Sequence, residues 1–260
     1  MNRPPVDLSL LAPNELQALE SMRLLFKSES YPDQQDPNSW FQLEDWTYLR
    51  YLRARNYDVP KAELMLKNTL EMRRKYSPHL LSENDSVLRA QLDKKWWFLL
   101  PPSKHGNTVQ LTEVGLFDSG QVDDEENFHR YLILGQELAC KDMARNGWKN
   151  PKNVSIFDLR GFSLMKQISP KTMRLTKVLI ETSDLHYPEL LSRCIMFNAP
   201  LVFRGPYKIM RPWLSEETQQ KIMFVSDTKV LDELLSVESR MDRHGGTRTK
   251  EYASIYYEEK

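Results

Sequence analysis

Three residues near the middle of the chain have the side chains that nucleophilic catalysis uses. Ser183, Asp184 and His186 lie within four positions of one another. A catalytic triad is defined by its geometry in space, however, and adjacency in sequence does not supply that geometry. The chain also lacks a Gly-x-Ser-x-Gly elbow, a Gly-x-x-x-x-Gly-Lys phosphate loop and a Gly-x-Gly-x-x-Gly fingerprint. We therefore interpret the three residues as a turn that ends a helix, and we expect a protein that is not an enzyme.

Metal and redox chemistry find little support in the sequence. The two cysteines, Cys140 and Cys194, are too few for a disulfide framework or a structural zinc site, and we expect both to be buried reduced thiols. The five histidines are scattered without metal-ligand spacing. We expect neither a metal nor a cofactor.

Basic side chains recur in the segment 203–214. Arg204, Lys208 and Arg211 follow one another at spacings of four and three, which places them on one face of a helix. Lys+Arg and Asp+Glu balance at 36 each, so the chain as a whole has no field that favours nucleic acid. Attraction to an anionic surface must come from a local patch such as this one. Taken alone, the pattern is equally typical of an ordinary amphipathic helix that covers a sheet.

The elements that must position these residues change in type along the chain. The first third predicts helices: one from Pro13 onward, one over 44–54, and one capped by Asp58 and ended by Pro78. The remainder predicts strands over 96–100, 108–113, 154–158, 194–198 and 222–226. Between them we predict helices over 125–145, 170–182 and 216–221, and a short helix after Pro188.

Long helical connections between short apolar strands indicate parallel neighbours, whereas residues 101–107 predict a hairpin or a tight loop between the first two strands. The predicted fold class is therefore α/β, with a small N-terminal helical domain followed by a mixed, mostly parallel sheet between helices. We place the domains at 1–78 and 79–248, followed by a polar tail at 249–260. Alternation along the third strand puts Asn153, Ser155 and Phe157 on one face of the sheet.

Four segments in order resemble the CRAL-TRIO lipid-binding family, most closely its phosphatidylinositol/phosphatidylcholine transfer branch. They are Leu49–Asp58 (LRYLRARNYD), Val154–Gly161 (VSIFDLRG), Tyr187-Pro188-Glu189 and Asn198-Ala199-Pro200. Each motif is short, but the four occur in the family's order at compatible spacing, and the likeness extends from about residue 45 to residue 246. The resemblance implies an apolar lipid pocket enclosed by the α/β domain.

The resemblance also implies a set of site residues. The family's phosphoinositol-binding positions correspond to Arg55, Glu189, Thr218 and Lys221, whereas Asn56 stands where fungal transfer proteins carry a lysine. A guanidinium matches the oxygens of a phosphodiester, and a carboxylate, a hydroxyl and an ammonium together suit inositol hydroxyls. A surface ion pair between Glu189 and Lys221 is the plainer interpretation of those two residues.

A second set of phospholipid contacts and a membrane-facing gate follow from the same resemblance. Asn153 and Ser155 correspond to the polar strand positions, while two expected tyrosines are replaced by Leu99 and Gln110. The loss of these aromatic rings disfavours choline recognition. The gate and membrane contacts would be Phe203, Arg204, Lys208, Met210, Arg211, Trp213 and Leu214.

The predicted function is a phosphatidylinositol-binding and transfer protein that encloses one phospholipid and exchanges it at membrane surfaces. The alternatives are a carrier of an isoprenoid, a tocopherol-like molecule or a sterol, and a lipid-sensing scaffold that does not transfer lipid in bulk. The sequence lacks a signal peptide pattern and a run of about 18 apolar residues. We expect a cytoplasmic monomer that binds no nucleic acid and associates with membranes peripherally and transiently.

Overall fold

The structure is a computed structural model that describes residues 4–36 and 39–249. In these ranges the first helices are α1 (Pro13–Leu25), α2 (Asp45–Arg53), α3 (Val59–Tyr76) and α4 (Ser86–Leu92). The later ones are α5 (Glu125–Arg145), α6 (Leu164–Gln167), α7 (Pro170–Glu181), α8 (Arg204–Met210), α9 (Glu216–Gln220) and α10 (Lys229–Leu234). The strands are β1 (Trp97–Leu100), β2 (Thr108–Glu113), β3 (Asn153–Asp158), β4 (Leu191–Phe197) and β5 (Ile222–Val225).

The strands form one mixed sheet in the order β1-β2-β3-β4-β5. β1 and β2 are antiparallel, which agrees with the hairpin alternative for residues 101–107, and each later pair of neighbours is parallel. The predicted α/β fold, with a helical N-terminal region and a mostly parallel sheet, is confirmed. The domain boundaries at 78 and 248 stay predictions, and apart from residue 249 the predicted tail lies outside the described residues.

Local signals explain where the long helices begin and end. The Asp58 side chain accepts a hydrogen bond from the backbone N–H of Lys61 (3.1 Å), and Ser77 ends α3 in the left-handed region at φ +44°. The Asp124 carboxylate accepts hydrogen bonds from the N–H groups of Glu126 and Asn127 at the start of α5. Such caps satisfy backbone donors that have no partner within the helix.

One prediction among the shorter elements is wrong. No helix follows Pro188, because Glu189 takes φ +63° and β4 begins at Leu191. A left-handed residue other than glycine cannot continue a right-handed helix and costs about 1–3 kcal/mol, so its surroundings must hold it in place.

A buried ion network joins the helical region to α5. The Arg73 guanidinium, fully buried, pairs with Asp33 and donates to Glu137 (2.9 Å). Glu137 also accepts hydrogen bonds from Trp40 Nε1 (2.7 Å) and Tyr187 Oη (2.8 Å). Each buried charge in this network has a partner of opposite charge, as buried ions require.

Candidate functional site

A cavity of about 780 Å³ lies between one face of the sheet and the helices α5 and α7. The sheet forms the floor of the cavity. Gln110, Ser155 and Cys194 are paired across β2, β3 and β4, so their side chains lie on the same face of the sheet and line the cavity. Aromatic and aliphatic side chains form most of the remaining wall, including Trp96, Trp97, Phe117, Phe128, Leu132, Phe157, Leu175 and Leu179. Concave sites of this size and lining are typical of binding sites for apolar ligands.

The Tyr131 hydroxyl on α5 is a polar exception within this wall. It is buried and has no hydrogen-bond partner within residues 4–36 and 39–249. Burial raises the pKa of Tyr131, so the hydroxyl remains protonated and able to donate. An unpaired buried polar group is costly, and a ligand atom or water in the cavity would satisfy it.

The residues predicted from the resemblance come together at this cavity. Arg55, Glu189, Thr218 and Lys221 all line it, although they come from the end of α2, the turn before β4, and α9. Asn153 and Ser155 line it as well, and the Ser155 hydroxyl donates to Asn153 Oδ1 at 3.4 Å. The structure therefore brings all six residues to one cavity.

We use the name polar rim for Arg55, Asp184, Glu189, Glu217, Thr218 and Lys221. Each of these side chains is half-buried, and exposed residues of the same lining, such as Asn56 and Ser215, lie beside them. The rim therefore lies where the cavity meets solvent. Sequence reasoning assigned no ligand role to Asp184 or Glu217, and nothing in their local pattern pointed to one.

Glu189 is held at the rim by its neighbours in space. The buried Arg50 guanidinium lies over the rings of Trp40 and Trp46, and its Nε donates to the carbonyl of Pro188 at 2.9 Å. On the other side of the turn, the backbone N–H of Asn153 donates to Leu190 O at 2.7 Å. These two bonds fix the left-handed turn that points Glu189 into the cavity.

Glu189 and Glu217 form a carboxyl pair flanked by two lysines. Lys152 Nζ lies 3.4 Å from Glu189 Oε2, and Lys221 is ion-paired with Glu217. Burial and the hydrogen bond to Glu217 raise the pKa of Glu189. Burial opposes ionisation of Glu217 too, but the hydrogen bond from Glu189 and the nearby Lys221 outweigh it and lower the pKa of Glu217. Glu189 is therefore the weaker acid of the pair and Glu217 the stronger. Lys152 is a contact that the sequence did not reveal.

Asp184 connects the far end of α7 to α9. It lies in a π-helical turn, Thr182–His186, which follows α7 directly. Its carboxylate accepts hydrogen bonds from Thr218 Oγ1 (3.0 Å) and from the backbone N–H of Ser215 (2.9 Å). Ser183 and His186 have other partners, Gln136 and Thr69 respectively. The interpretation of 183–186 as a helix-ending turn thus agrees with the local geometry, and π-helical turns often occur at functional sites.

The predicted gate residues divide between the cavity and the surface. Phe203, Met210 and Leu214 line the cavity, with Phe203 buried. Trp213 is half-buried outside the lining, and the three basic residues Arg204, Lys208 and Arg211 are exposed. Leu201, Val202 and Ile209 are exposed apolar residues of the same segment. One segment therefore presents apolar groups to the cavity and both basic and apolar groups to solvent.

Comparisons with known proteins agree with this geometry. The model of the CRAL/TRIO domain matches residues 93–246, and the model of the CRAL/TRIO N-terminal domain matches residues 18–68. The CRAL-TRIO domain-containing protein C3H8.02 of Schizosaccharomyces pombe is 26% identical over 219 residues, covering 80% of this chain and 47% of that protein. This chain therefore spans about half the length of that relative.

Two further proteins extend the likeness. The SEC14 cytosolic factor of Candida glabrata is 26% identical over 220 residues, which cover 79% of this chain and 71% of that protein. The crystal structure of Sfh5 superimposes with a TM-score of 0.71 at 16% identity, covering 93% of this chain and 91% of that one. At that identity the superposition shows a common fold and nothing more.

Proposed function

Since this chain belongs to the CRAL/TRIO family of lipid-binding domains, we propose that it binds one phosphatidylinositol molecule and transfers it between membrane surfaces. The observation that carries the proposal is the polar rim at the opening of an apolar cavity. Lipid binding is the family's property, whereas the phosphatidylinositol headgroup, the transfer step and the membrane contact are our inferences from the residues.

Enclosure of the acyl chains is the first task of such a carrier. Each exposed CH₂ costs about 0.8 kcal/mol in water, so about 30 methylenes cost on the order of 20 kcal/mol. The aromatic and aliphatic wall of the cavity offers a replacement for the membrane interior. The buried Tyr131 hydroxyl and the strand residues Asn153 and Ser155 are polar points in that wall. We propose Asn153 and Ser155 as a second set of contacts for the bound phospholipid.

Recognition of the headgroup falls to the rim. Arg55 presents a guanidinium for the phosphodiester, and its Nη1 donates only to the neighbouring Ala54 carbonyl among the described groups (2.7 Å). Thr218, Lys221 and Glu189 supply a hydroxyl, an ammonium and a carboxyl for the inositol hydroxyls. The strained backbone at Glu189 supports a functional role, because such conformations concentrate at ligand sites.

Exchange requires contact with a bilayer. We propose that the segment 203–214 makes it, with Arg204, Lys208 and Arg211 facing anionic headgroups and Ile209 entering the interface. In the parts of the chain that the structure describes, no helix has the length and apolarity needed to cross a bilayer. We propose transient, peripheral membrane association of a cytoplasmic, monomeric carrier.

Lipid capture tests the proposal directly. Purified protein is incubated with mixed-lipid vesicles and re-isolated, and the bound lipid is identified by mass spectrometry. Wild-type protein should carry stoichiometric phosphatidylinositol. Lys221→Ala should carry about 10- to 100-fold less phosphatidylinositol, because it removes the hydrogen bond between the charged Lys221 ammonium and an inositol hydroxyl. Lys229→Ala, at an 83% exposed lysine outside the cavity lining, is the matched control and should behave as wild type.

Three outcomes would contradict parts of the proposal. Phosphatidylinositol loading that Lys221→Ala leaves unchanged, with a normal thermal melt, would remove the headgroup assignment. A bound isoprenoid or sterol would keep the carrier and discard the inositol site. Absence of any bound lipid would favour a scaffold.

A further inference from the structure

One polar group of the cavity lies far from the rim. Tyr131 belongs to the stripe of α5 that lines the cavity, together with Phe128, Leu132, Gly135 and Gln136, which recur at helical spacing. Tyr131 is 5% exposed, and none of the described residues forms a hydrogen bond with its hydroxyl. Nearly all buried polar groups in proteins are paired, so a buried donor without a partner on a cavity wall points to a group that the cavity receives.

Tyr131 and the rim lie toward opposite edges of the sheet. At the rim end, the Thr108 hydroxyl of β2 donates to Asp142 Oδ2 of α5 (2.6 Å). Toward the other end, Gly135 of α5 faces the ring of Trp97, which is paired with the far half of β2. Tyr131 is one turn beyond Gly135 and 11 residues from Asp142, which is roughly 16 Å along a helix. A lipid with its headgroup at the rim would therefore meet Tyr131 with its apolar part.

The surroundings of Tyr131 disfavour a charged ligand group. The charged residues of the cavity lining either belong to the polar rim or, as with Arg53 and Glu216, are exposed. The Tyr131 ring packs 5.7 Å from that of Phe128, which adjoins further aromatic rings. A charge buried there would have no partner of opposite sign, which is costly, whereas an uncharged oxygen could accept the hydrogen bond of the hydroxyl.

We propose that Tyr131 is the donor of a subsite for an uncharged oxygen on the apolar part of the bound lipid. The chemistry that fits is a hydroxyl, carbonyl or epoxide group on an otherwise apolar body. An oxygenated acyl chain of a phospholipid has this chemistry, and so does a separate neutral lipid such as a sterol. The inference rests on lipid binding, which is the family's property, and not on the phosphatidylinositol headgroup.

The subsite would distinguish lipids that share a headgroup. A plain acyl chain against Tyr131 offers no acceptor and leaves the buried hydroxyl unpaired, which is costly. A hydroxyl in the middle of the chain removes that cost, although the chain must give up its own contact with water. The expected enrichment of the oxygenated lipid is therefore about three- to tenfold, which is the range of one net hydrogen bond.

The test lets two chains compete under one headgroup. Phosphatidylcholine vesicles contain equal amounts of linoleoyl phosphatidylinositol and its chain-hydroxylated form, and mass spectrometry measures the ratio of the two on the re-isolated protein. Wild-type protein should be enriched about three- to tenfold in the hydroxylated lipid. Tyr131→Phe, which removes only the hydroxyl, should lower the enrichment severalfold by loading more of the plain lipid. Without lipid, this variant should melt at or above the wild-type temperature, because it loses no hydrogen bond within the described structure.

A second set of vesicles identifies the source of the oxygen. It contains cholesterol and plain linoleoyl phosphatidylinositol in phosphatidylcholine. Cholesterol that wild-type protein binds and Tyr131→Phe binds severalfold less would assign the subsite to a separate neutral lipid. Tyr48→Phe is the matched control, because it removes a buried hydroxyl outside the cavity lining, one that donates to the Leu43 carbonyl (3.2 Å). It should leave both loading measurements unchanged.

The outcomes separate this inference from the proposed function. Equal loading of both phosphatidylinositol forms by wild-type protein without bound cholesterol, or ratios that Tyr131→Phe leaves unchanged, would overturn the subsite and leave phosphatidylinositol binding standing. Cholesterol loading that depends on Tyr131, without any bound phosphatidylinositol, would support the subsite and contradict the headgroup assignment. Absence of any bound lipid would overturn both.

Discussion

The two faces of the same sheet differ in what covers them. On one face, which we call the closed face, Phe98, Leu111, Ile156 and Phe197 pack into a continuous core with α10. On the other, which we call the cavity face, the alternate residues of the same strands line the open volume. Ile156 is 2% exposed, and its neighbours Ser155 and Phe157 are only half-buried.

The charges near the two faces differ in the same way. On the closed face, the Asp158 carboxylate lies 2.8 Å from His244 Nε2 and accepts a hydrogen bond from the backbone N–H of Arg160 (2.9 Å). At the cavity face, Glu189 adjoins another carboxyl group and Asp184 has no ion-pair partner among the described residues. The closed face thus gains stability from its side chains, whereas the cavity face leaves polar and apolar groups for a ligand to satisfy.

The largest difference should appear when adjacent residues of β3 are truncated. Ile156→Ala should lower the free energy of unfolding by about 2–5 kcal/mol, because it removes a buried side chain and leaves a void in a packed core. Phe157→Ala should cost less, since its ring already borders an open cavity. Urea denaturation of lipid-free protein measures both. Equal losses would show that the cavity is filled or collapsed in the folded protein.

A pH series tests the closed-face carboxylate. Burial opposes ionisation of Asp158, but hydrogen bonds from His244 and from the backbone of Arg160 outweigh it and lower its pKa below the usual 3.8. Its contribution to stability is therefore present above pH 3.8 and is lost as the pH falls through the native pKa. Asp158→Asn should be about 1–3 kcal/mol less stable than wild type at pH 7. That gap should narrow below pH 3.8.

The control for this series is Asp123→Asn, whose carboxylate is exposed. Its stability should run parallel to that of wild type at every pH. If the gap between Asp158→Asn and wild type were constant down to pH 2, the Asp158 charge would contribute nothing and the effect would be one of packing alone.

The smallest effect on stability is expected at Glu189 on the cavity face, and its dependence on pH is opposite in sign to that of Asp158. Burial and the adjacent Glu217 raise the pKa of Glu189 above the usual 4.5. Its contribution to stability is thus present below pH 4.5 and is lost as the pH rises through the native pKa. Glu189→Gln should therefore match wild type in acid and exceed it by about 1 kcal/mol at pH 8. Thermal melts across pH 4–8 measure the difference.

A gain in stability from Glu189→Gln should come with weaker phosphatidylinositol loading in the vesicle assay, as expected where a binding site keeps a costly group. A variant that is less stable than wild type at pH 8 would instead make Glu189 a structural ion-pair partner of Lys152.

Much of the fold could be predicted because its signals are local. The helix predicted over 125–145 and the strand over 108–113 have the bounds that the structure gives. The Asp58 cap and Pro60 at the start of α3 act within a few residues, so the sequence contains the whole signal for the start of this helix. The helix predicted after Pro188 is wrong because the signal there is not local. The left-handed backbone at Glu189 depends on the contact of Arg50 with Pro188, and these two residues are 138 positions apart.

The candidate site was only partly predictable. Family resemblance identified Arg55, Glu189, Thr218 and Lys221, and the structure places all four on one cavity, while their ligand stays a prediction. Asp184, Glu217 and Lys152 had no such signal. Asp184 was considered only within a serine–histidine cluster, yet its partners are Thr218 and Ser215 in space.

The sequence by itself determined which residues share a face of each strand, because side chains alternate with a period of two whatever surrounds the strand. It also determined the order of the long helices and of the five strands. Only the tertiary structure decided which face is closed and which charges are compensated. Lys152 meets Glu189 across 37 positions and Asp184 meets Thr218 across 34. Electrostatic energy depends on distance and burial, which are properties of the folded chain. No local sequence pattern could therefore have shown which charges are compensated.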